Sequence, residues 1–297
     1  MTLYTTCIKF YLQFIIQIPY GICAILVLIE RVITMVSSTA SRKEITVLGT
    51  TVEYFVGGTG DTSLLFLHGA GGNSGWQKYH EELSKEYTVY VPSQAGFNGT
   101  ERPDWIYTIT DMAHFNLQLV NALGLSDYIL MGSSMGGWIS SEMASMDDSS
   151  IQSLILIDAA GIKPEKGEIS EIFMCSAQTR LEQRFYNPSQ VENYEAYTRE
   201  LTQDEVFTEH SNREMASRLC WRPYLHNWSL PFYLKKITTP TLIIWGENDA
   251  IIPVECGSLF QASIADSTLE IISNCGHSPA IEKPNEFMAV VNKFLSN

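Results

Sequence analysis

Short, largely apolar runs recur along the chain at 64–67, 87–91, 128–131, 154–157, 242–245 and 269–272. Runs this short fit strands covered on both faces, where strict alternation gives way to continuous hydrophobicity. Ahead of them, 45–48 and 51–56 alternate roughly, are divided by Gly49 and are closed by Gly57-Gly58, which predicts an opening antiparallel hairpin. Between the strands, 76–84, 111–123, 135–146 and 284–295 carry apolar residues three and four apart, the spacing of a helix with one buried face. Strand and helix alternate, so the chain is expected to be of the α/β class, with a mostly parallel sheet flanked by helices.

The rhythm breaks over 162–235, where Arg180, Arg184, Arg213, Arg218 and Arg222 mix with Phe173, Phe185, Tyr186, Trp221 and Trp228. This interval predicts a mostly helical cap, inserted into a core made of 41–161 and 236–297. One core with an insertion suits a chain of 297 residues, because single cores stop growing near ~250–300 residues.

Residues 1–40 stand apart. Positions 10–29 carry no charge, and ~20 apolar residues suffice to cross a bilayer, although Gln13, Gln17 and Pro19 weaken that pattern. Three readings stay open: a membrane anchor, an upstream extension of a chain whose working start is Met35, and a cleaved signal peptide without an evident cleavage site. If the run is an anchor, Lys9 on one side against Arg31, Arg42 and Lys43 on the other leads to the expectation that the following domain faces the cytoplasm.

Charge narrows the partners. With 19 Lys+Arg against 33 Asp+Glu the formal charge is -14, so the average surface repels phosphate backbones and nucleic acid is not an expected partner. The cysteines at 7, 23, 175, 220, 256 and 275 form no C-x-x-C pair or zinc spacing and read as scattered thiols.

The chemistry centres on Gly132-Ser133-Ser134-Met135-Gly136-Gly137, which follows the run 128–131 and precedes a helical stretch. That is the strand-turn-helix setting of the G-x-S-x-G nucleophile elbow, in which small residues two positions either side let backbone and helix pass closely. Ser134 is its central serine. Asn274-Cys275-Gly276-His277-Ser278-Pro279 follows the run 269–272, so His277 is expected on a loop past a strand end; an imidazole with a pKa of ~6.5 can take a serine proton near neutrality.

Over residues 45–297 the elbow, its flanks and the partner candidates resemble the α/β-hydrolase superfamily. The resemblance implies an α/β-hydrolase fold with a helical cap and a triad of Ser134, His277 and Asp249, the last from the acid-bearing loop Gly246-Glu247-Asn248-Asp249. Asp158, at the end of run 154–157, is the rival acid, since some members hold the histidine from there; Glu247 is a third and weaker candidate. The turn His68-Gly69-Ala70-Gly71-Gly72 matches the family's oxyanion loop, which implies the backbone N–H groups of Ala70 and Met135 as donors. No metal or organic cofactor is implied.

The chain departs from the family in one loop. Where an Asp-x-x-Gly-x-Gly-x-Ser segment is common, it reads Ser93-Gln94-Ala95-Gly96-Phe97-Asn98-Gly99-Thr100, which leaves the pocket wall undefined. The expected activity is hydrolysis of a carboxylic ester or related small acyl substrate. Three alternatives stand beside it. One is a C–C bond hydrolase of vinylogous diketones, for which Arg180 or Arg222 would bind a substrate carboxylate, although Ser278 replaces the tryptophan typical of that group. The others are a perhydrolase using the same triad and a non-catalytic binding protein on this fold.

Overall fold

The computed structural model describes residues 40–296. Eight strands form one sheet: β1 (Ser41–Val47), β2 (Thr50–Gly57), β3 (Ser63–Leu67), β4 (Thr88–Pro92), β5 (Tyr128–Ser133), β6 (Ile151–Ile157), β7 (Thr241–Gly246) and β8 (Ser267–Ile272). Their order is β1-β2-β4-β3-β5-β6-β7-β8. The β1–β2 and β2–β4 pairs are antiparallel and the remaining pairs parallel. Leu48 and Gly49 both take positive φ, as a two-residue hairpin turn requires.

Among the described residues, ten α-helices follow as α1 (Lys78–Leu83), α2 (Ile109–Leu123), α3 (Met135–Met146), α4 (Ala177–Arg184), α5 (Glu195–Thr198), α6 (Gln203–Cys220), α7 (Leu230–Tyr233), α8 (Glu255–Ser263), α9 (Pro279–Glu282) and α10 (Pro284–Leu295). The central strands explain the continuous apolar runs: every residue of β7 is buried, as are the last four of β3 and of β6. One face of the sheet packs Leu65, Leu130 and Ile243 with α2 and α3; the other packs Leu64, Ile129 and Ile244 with Tyr79 of α1 and Phe287 of α10. The sheet thus has helices on both faces, as the alternation predicts.

Two differences from the predicted elements have local causes. Strand β1 starts at Ser41, because Ser41, Arg42, Lys43 and Glu44 are exposed on an edge strand and carry no hydrophobic signal. Helix α8 has no clean apolar stripe; Gly257 sits in it because a Cβ there would come within 2.9 Å of the Trp245 ring. Helices α4 to α7 all lie between β6 and β7, within the interval whose pattern predicts the insertion. The uncharged run 10–29 lies outside the described residues, among which no helix is long and apolar enough to cross a membrane. Cys175, Cys220, Cys256 and Cys275 are free thiols.

Candidate active site

Ser134 stands between β5 and α3 with φ 55° and ψ −119°, a region that costs a residue with a side chain about 1–3 kcal/mol. Backbone bonds hold it there: its N–H donates to Ile157 O at 2.8 Å, and its carbonyl accepts from Trp138 N and Ala160 N at 3.1 Å each. The flanking glycines are sterically fixed. A Cβ on Gly132 would lie 2.3 Å from Gly136 O, and one on Gly136 would lie 2.1 Å from Leu67 O. The Ser134 hydroxyl makes no capping bond to α3 and lines a cavity of ≈530 Å³, which His277 also lines.

His277 lies on the loop from β8 to α9, and its Nδ1 donates to Asp249 Oδ2 at 2.7 Å. A proton on Nδ1 leaves Nε2 as the acceptor. Asp249, on the loop from β7 to α8, accepts at Oδ1 from Ile251 N at 2.8 Å and Ile252 N at 3.0 Å, so its carboxylate is held by two amides and the imidazole. Of the other acids, Glu247 instead accepts from Asn274 N at 3.2 Å. Asp158 is fully buried at the end of β6, with φ 43°, and its Oδ1 accepts from Gly246 N at 2.8 Å. Burial, reinforced by the charge of Asp249, pushes its carboxyl well above the usual range. Asp158, Asp249 and His277 each bring one atom within 4.8 Å of the others, the one such set among the described residues close enough to share a cation. The Asp249 oxygens are already committed to three donors.

The histidine loop is anchored from two sides. Glu282, buried on α9, accepts from Gly276 N at 2.7 Å and Asn187 N at 2.6 Å. The His277 amide donates to Arg184 O at 2.8 Å, and Arg184 Nε donates to Ser278 Oγ at 2.8 Å. Ser278 therefore serves as a hydrogen-bond partner of α4 in the position where tryptophan is typical of the C–C hydrolases.

The Gly-rich turn lies against the serine: a Cβ on Gly69 would come within 3.2 Å of Ser134 Cβ. Ala70 lines the cavity, and Met135 opens α3. Beneath the turn, His68 Nε2 accepts from Gln94 N at 3.1 Å, which sets the tautomer so that Nδ1 faces Gly69 O at 2.8 Å as donor. Burial pulls the His68 imidazole down to about 4, so it stays neutral. Gln94 also donates to His68 O at 3.0 Å and accepts from Asn116 at 3.2 Å, so the loop that lacks the family's aspartate is fixed by neutral hydrogen bonds. Asn98 takes φ 54°, a left-handed conformation otherwise typical of glycine.

Three asparagines that the sequence does not single out brace this turn. Asn98 Oδ1 accepts from Asn73 N at 2.7 Å, Asn98 N donates to Asn212 Oδ1 at 2.7 Å, and Asn212 Nδ2 donates to Gly71 O at 3.0 Å. Helix α6 is thereby tied to the turn. The two arginines expected to face a substrate carboxylate differ in placement. Arg180 does line the cavity, but its guanidinium is paired with Glu209, and Arg222 is exposed and does not line it. Arg184 lines it, pairs with no carboxylate among the described residues, and lies 5.1 Å from the ring centroids of Phe185 and Tyr197.

The chain belongs to the alpha/beta hydrolase family, whose model matches residues 64–290. It is similar to a 2-hydroxy-6-oxo-2,4-heptadienoate hydrolase of Pseudomonas putida, 28% identical over 255 residues that cover 78% of this chain and 88% of the relative. It is equally similar to a monoacylglycerol lipase of Xenopus laevis, 28% identical over 262 residues that cover 79% of this chain and 75% of the relative. Among solved structures it resembles a bacterial membrane phospholipase A with a TM-score of 0.76 at 23% identity, covering 100% of this chain and 98% of that one. The protein is a hydrolase of this family by sequence and fold.

Proposed function

We propose that the protein is a serine hydrolase that cleaves a carboxylic ester or related small acyl substrate through an acyl-enzyme on Ser134. The observation that carries this reading is the meeting, at one cavity, of a strained serine elbow with a histidine whose Nδ1 is held by a buried carboxylate. In the first step the Ser134 hydroxyl proton passes to His277 Nε2 as Oγ attacks the substrate carbonyl carbon. The oxyanion accepts from the backbone N–H groups of Ala70 and Met135, each such donor contributing ~100 to 1000-fold in rate. Collapse expels the alcohol, which takes the proton from His277. Water then loses a proton to the same imidazole, attacks the acyl carbon, and the acid departs with Ser134 restored. Asp249 orients the imidazole and stabilises its cationic form.

The aromatic and aliphatic side chains around the cavity suit a substrate with an apolar body. Mixing the protein with p-nitrophenyl butyrate tests the reading. A burst of about one equivalent of p-nitrophenol, followed by slower turnover and lost in both Ser134→Ala and His277→Ala, is expected; a folded wild type with neither burst nor turnover overturns it.

A second reading is favoured by Arg184. Its guanidinium, at the cavity wall and without a carboxylate partner among the described residues, suits a substrate that carries a carboxylate, as the dienoate hydrolase relative's name describes for its own substrate. Under that reading the same serine and histidine act on a C–C bond beside a ketone.

A further inference from the structure

The site holds a second buried carboxyl group that the proposed chemistry leaves unused. Asp158 is fully buried; one of its oxygens accepts from Gly246 N, and the other, Oδ2, has no hydrogen-bond partner. The backbone there is held at φ 43°, and its N–H is fixed to Ile244 O at 2.9 Å, so the carboxyl cannot swing away to water. Its neighbours are the Asp249 carboxylate and His277 imidazole within 4.8 Å, with Glu282 of α9 and the Cys275 thiol adding negative or neutral groups on the same side. Two carboxylates packed this closely out of water do not both stay ionised. Asp249 has three donors and keeps the charge; Asp158 has one donor and a bare oxygen, and takes the proton.

We propose that Asp158 is a positioning residue and stand-in acid of this site: a neutral carboxylic acid that shares one proton with Asp249 and takes over the His277 imidazole when Asp249 is removed. In the intact site the Asp158 O–H points toward Asp249, the larger of its two anionic influences, ahead of Glu282. With Asp249 gone, Asp158 gives up its proton to solvent and its carboxylate becomes the nearest anion to Nδ1. This inference rests on the reading of Ser134, His277 and Asp249 as a triad.

Two measurements on the full-length chain test it. In the infrared difference between wild type and Asp158→Asn at pH 7, a protonated carboxyl C=O band belonging to the wild type is expected; its absence overturns the shared proton whether or not the protein hydrolyses esters. In kinetics, a lone triad aspartate is worth ~10⁴-fold, whereas Asp249→Ala is expected to keep kcat/KM about 10 to 100-fold above the Asp158→Asn/Asp249→Ala double variant. The acidic limb of its pH profile should also move relative to wild type. Equal activities of single and double variants overturn the stand-in role, and Asp249→Asn repeats the comparison if the alanine variant unfolds. Wild type without esterase activity or serine labelling defeats the triad reading instead, leaving the infrared result to decide the proton.

Discussion

The amide of His277 donates to the carbonyl of Arg184 at 2.8 Å, while the Arg184 guanidinium donates to the hydroxyl of the next residue, Ser278, also at 2.8 Å. The histidine loop is therefore fastened to the last residue of α4. The same guanidinium, half-buried and drawn below the ordinary arginine value by desolvation, still carries its charge beside the cavity.

Arg184→Met keeps the aliphatic packing on Tyr197 and removes the charge. For an ester whose acid part carries a free carboxylate, KM is expected to rise about 10 to 100-fold, the worth of one charge-assisted hydrogen bond. A matched neutral ester should lose far less. Steady-state kinetics on the pair checks this, and equal losses contradict an anion-binding role.

Asn212 links α6 to both Asn98 N and Gly71 O. Asn212→Ala leaves two partners unsatisfied, about 1–3 kcal/mol each when buried. It should lower Tm and, because the loosened turn bears Ala70, cut kcat more than it raises KM. Thermal unfolding and kinetics on p-nitrophenyl butyrate measure both.

His80 is buried, its Nδ1 accepts from Gln77 N at 3.1 Å, and burial pulls it down to about 3. A histidine lowered on folding gives stability that is present above its unfolded value of ~6.5 and is lost as pH falls toward the folded value. His80→Asn keeps an acceptor for Gln77 and removes the titration. Between pH 7 and 5 the wild type should lose roughly 2 kcal/mol more than this variant in urea unfolding; parallel curves would rule out the neutral buried imidazole.

Gly136→Ala places a methyl 2.1 Å from Leu67 O. Relieving that contact shifts β3 or α3 and is expected to cost on the order of 3 kcal/mol, with loss of activity because Ser134 moves with α3. Tm and burst amplitude report the two effects separately.

The elements that could be read from the sequence are those whose cause is local. The runs 128–131, 154–157 and 242–245 are apolar because their strands are buried on both faces, and Gly132, Ser134 and Gly136 share one turn. The exposed start of β1 and the glycine-bearing α8 carry no such mark. The same limit applies to the site. Ser134, Asp249 and His277 each sit in a recognisable strand-end loop, whereas Arg184 and Ser278 are 94 residues apart and Asn98 and Asn212 are 114 apart. Contacts at that separation leave no spacing pattern, so the cavity arginine that pairs with no carboxylate, Arg184, could not be told from Arg180 and Arg222 by composition.

The central claim is that Ser134 is a nucleophile activated by His277. Incubation with a fluorophosphonate, followed by peptide mass mapping, tests it most directly. A single adduct on Ser134, absent in Ser134→Ala and strongly slowed in His277→Ala, is predicted; a folded wild type that takes no label, or a label that persists in Ser134→Ala, would contradict it.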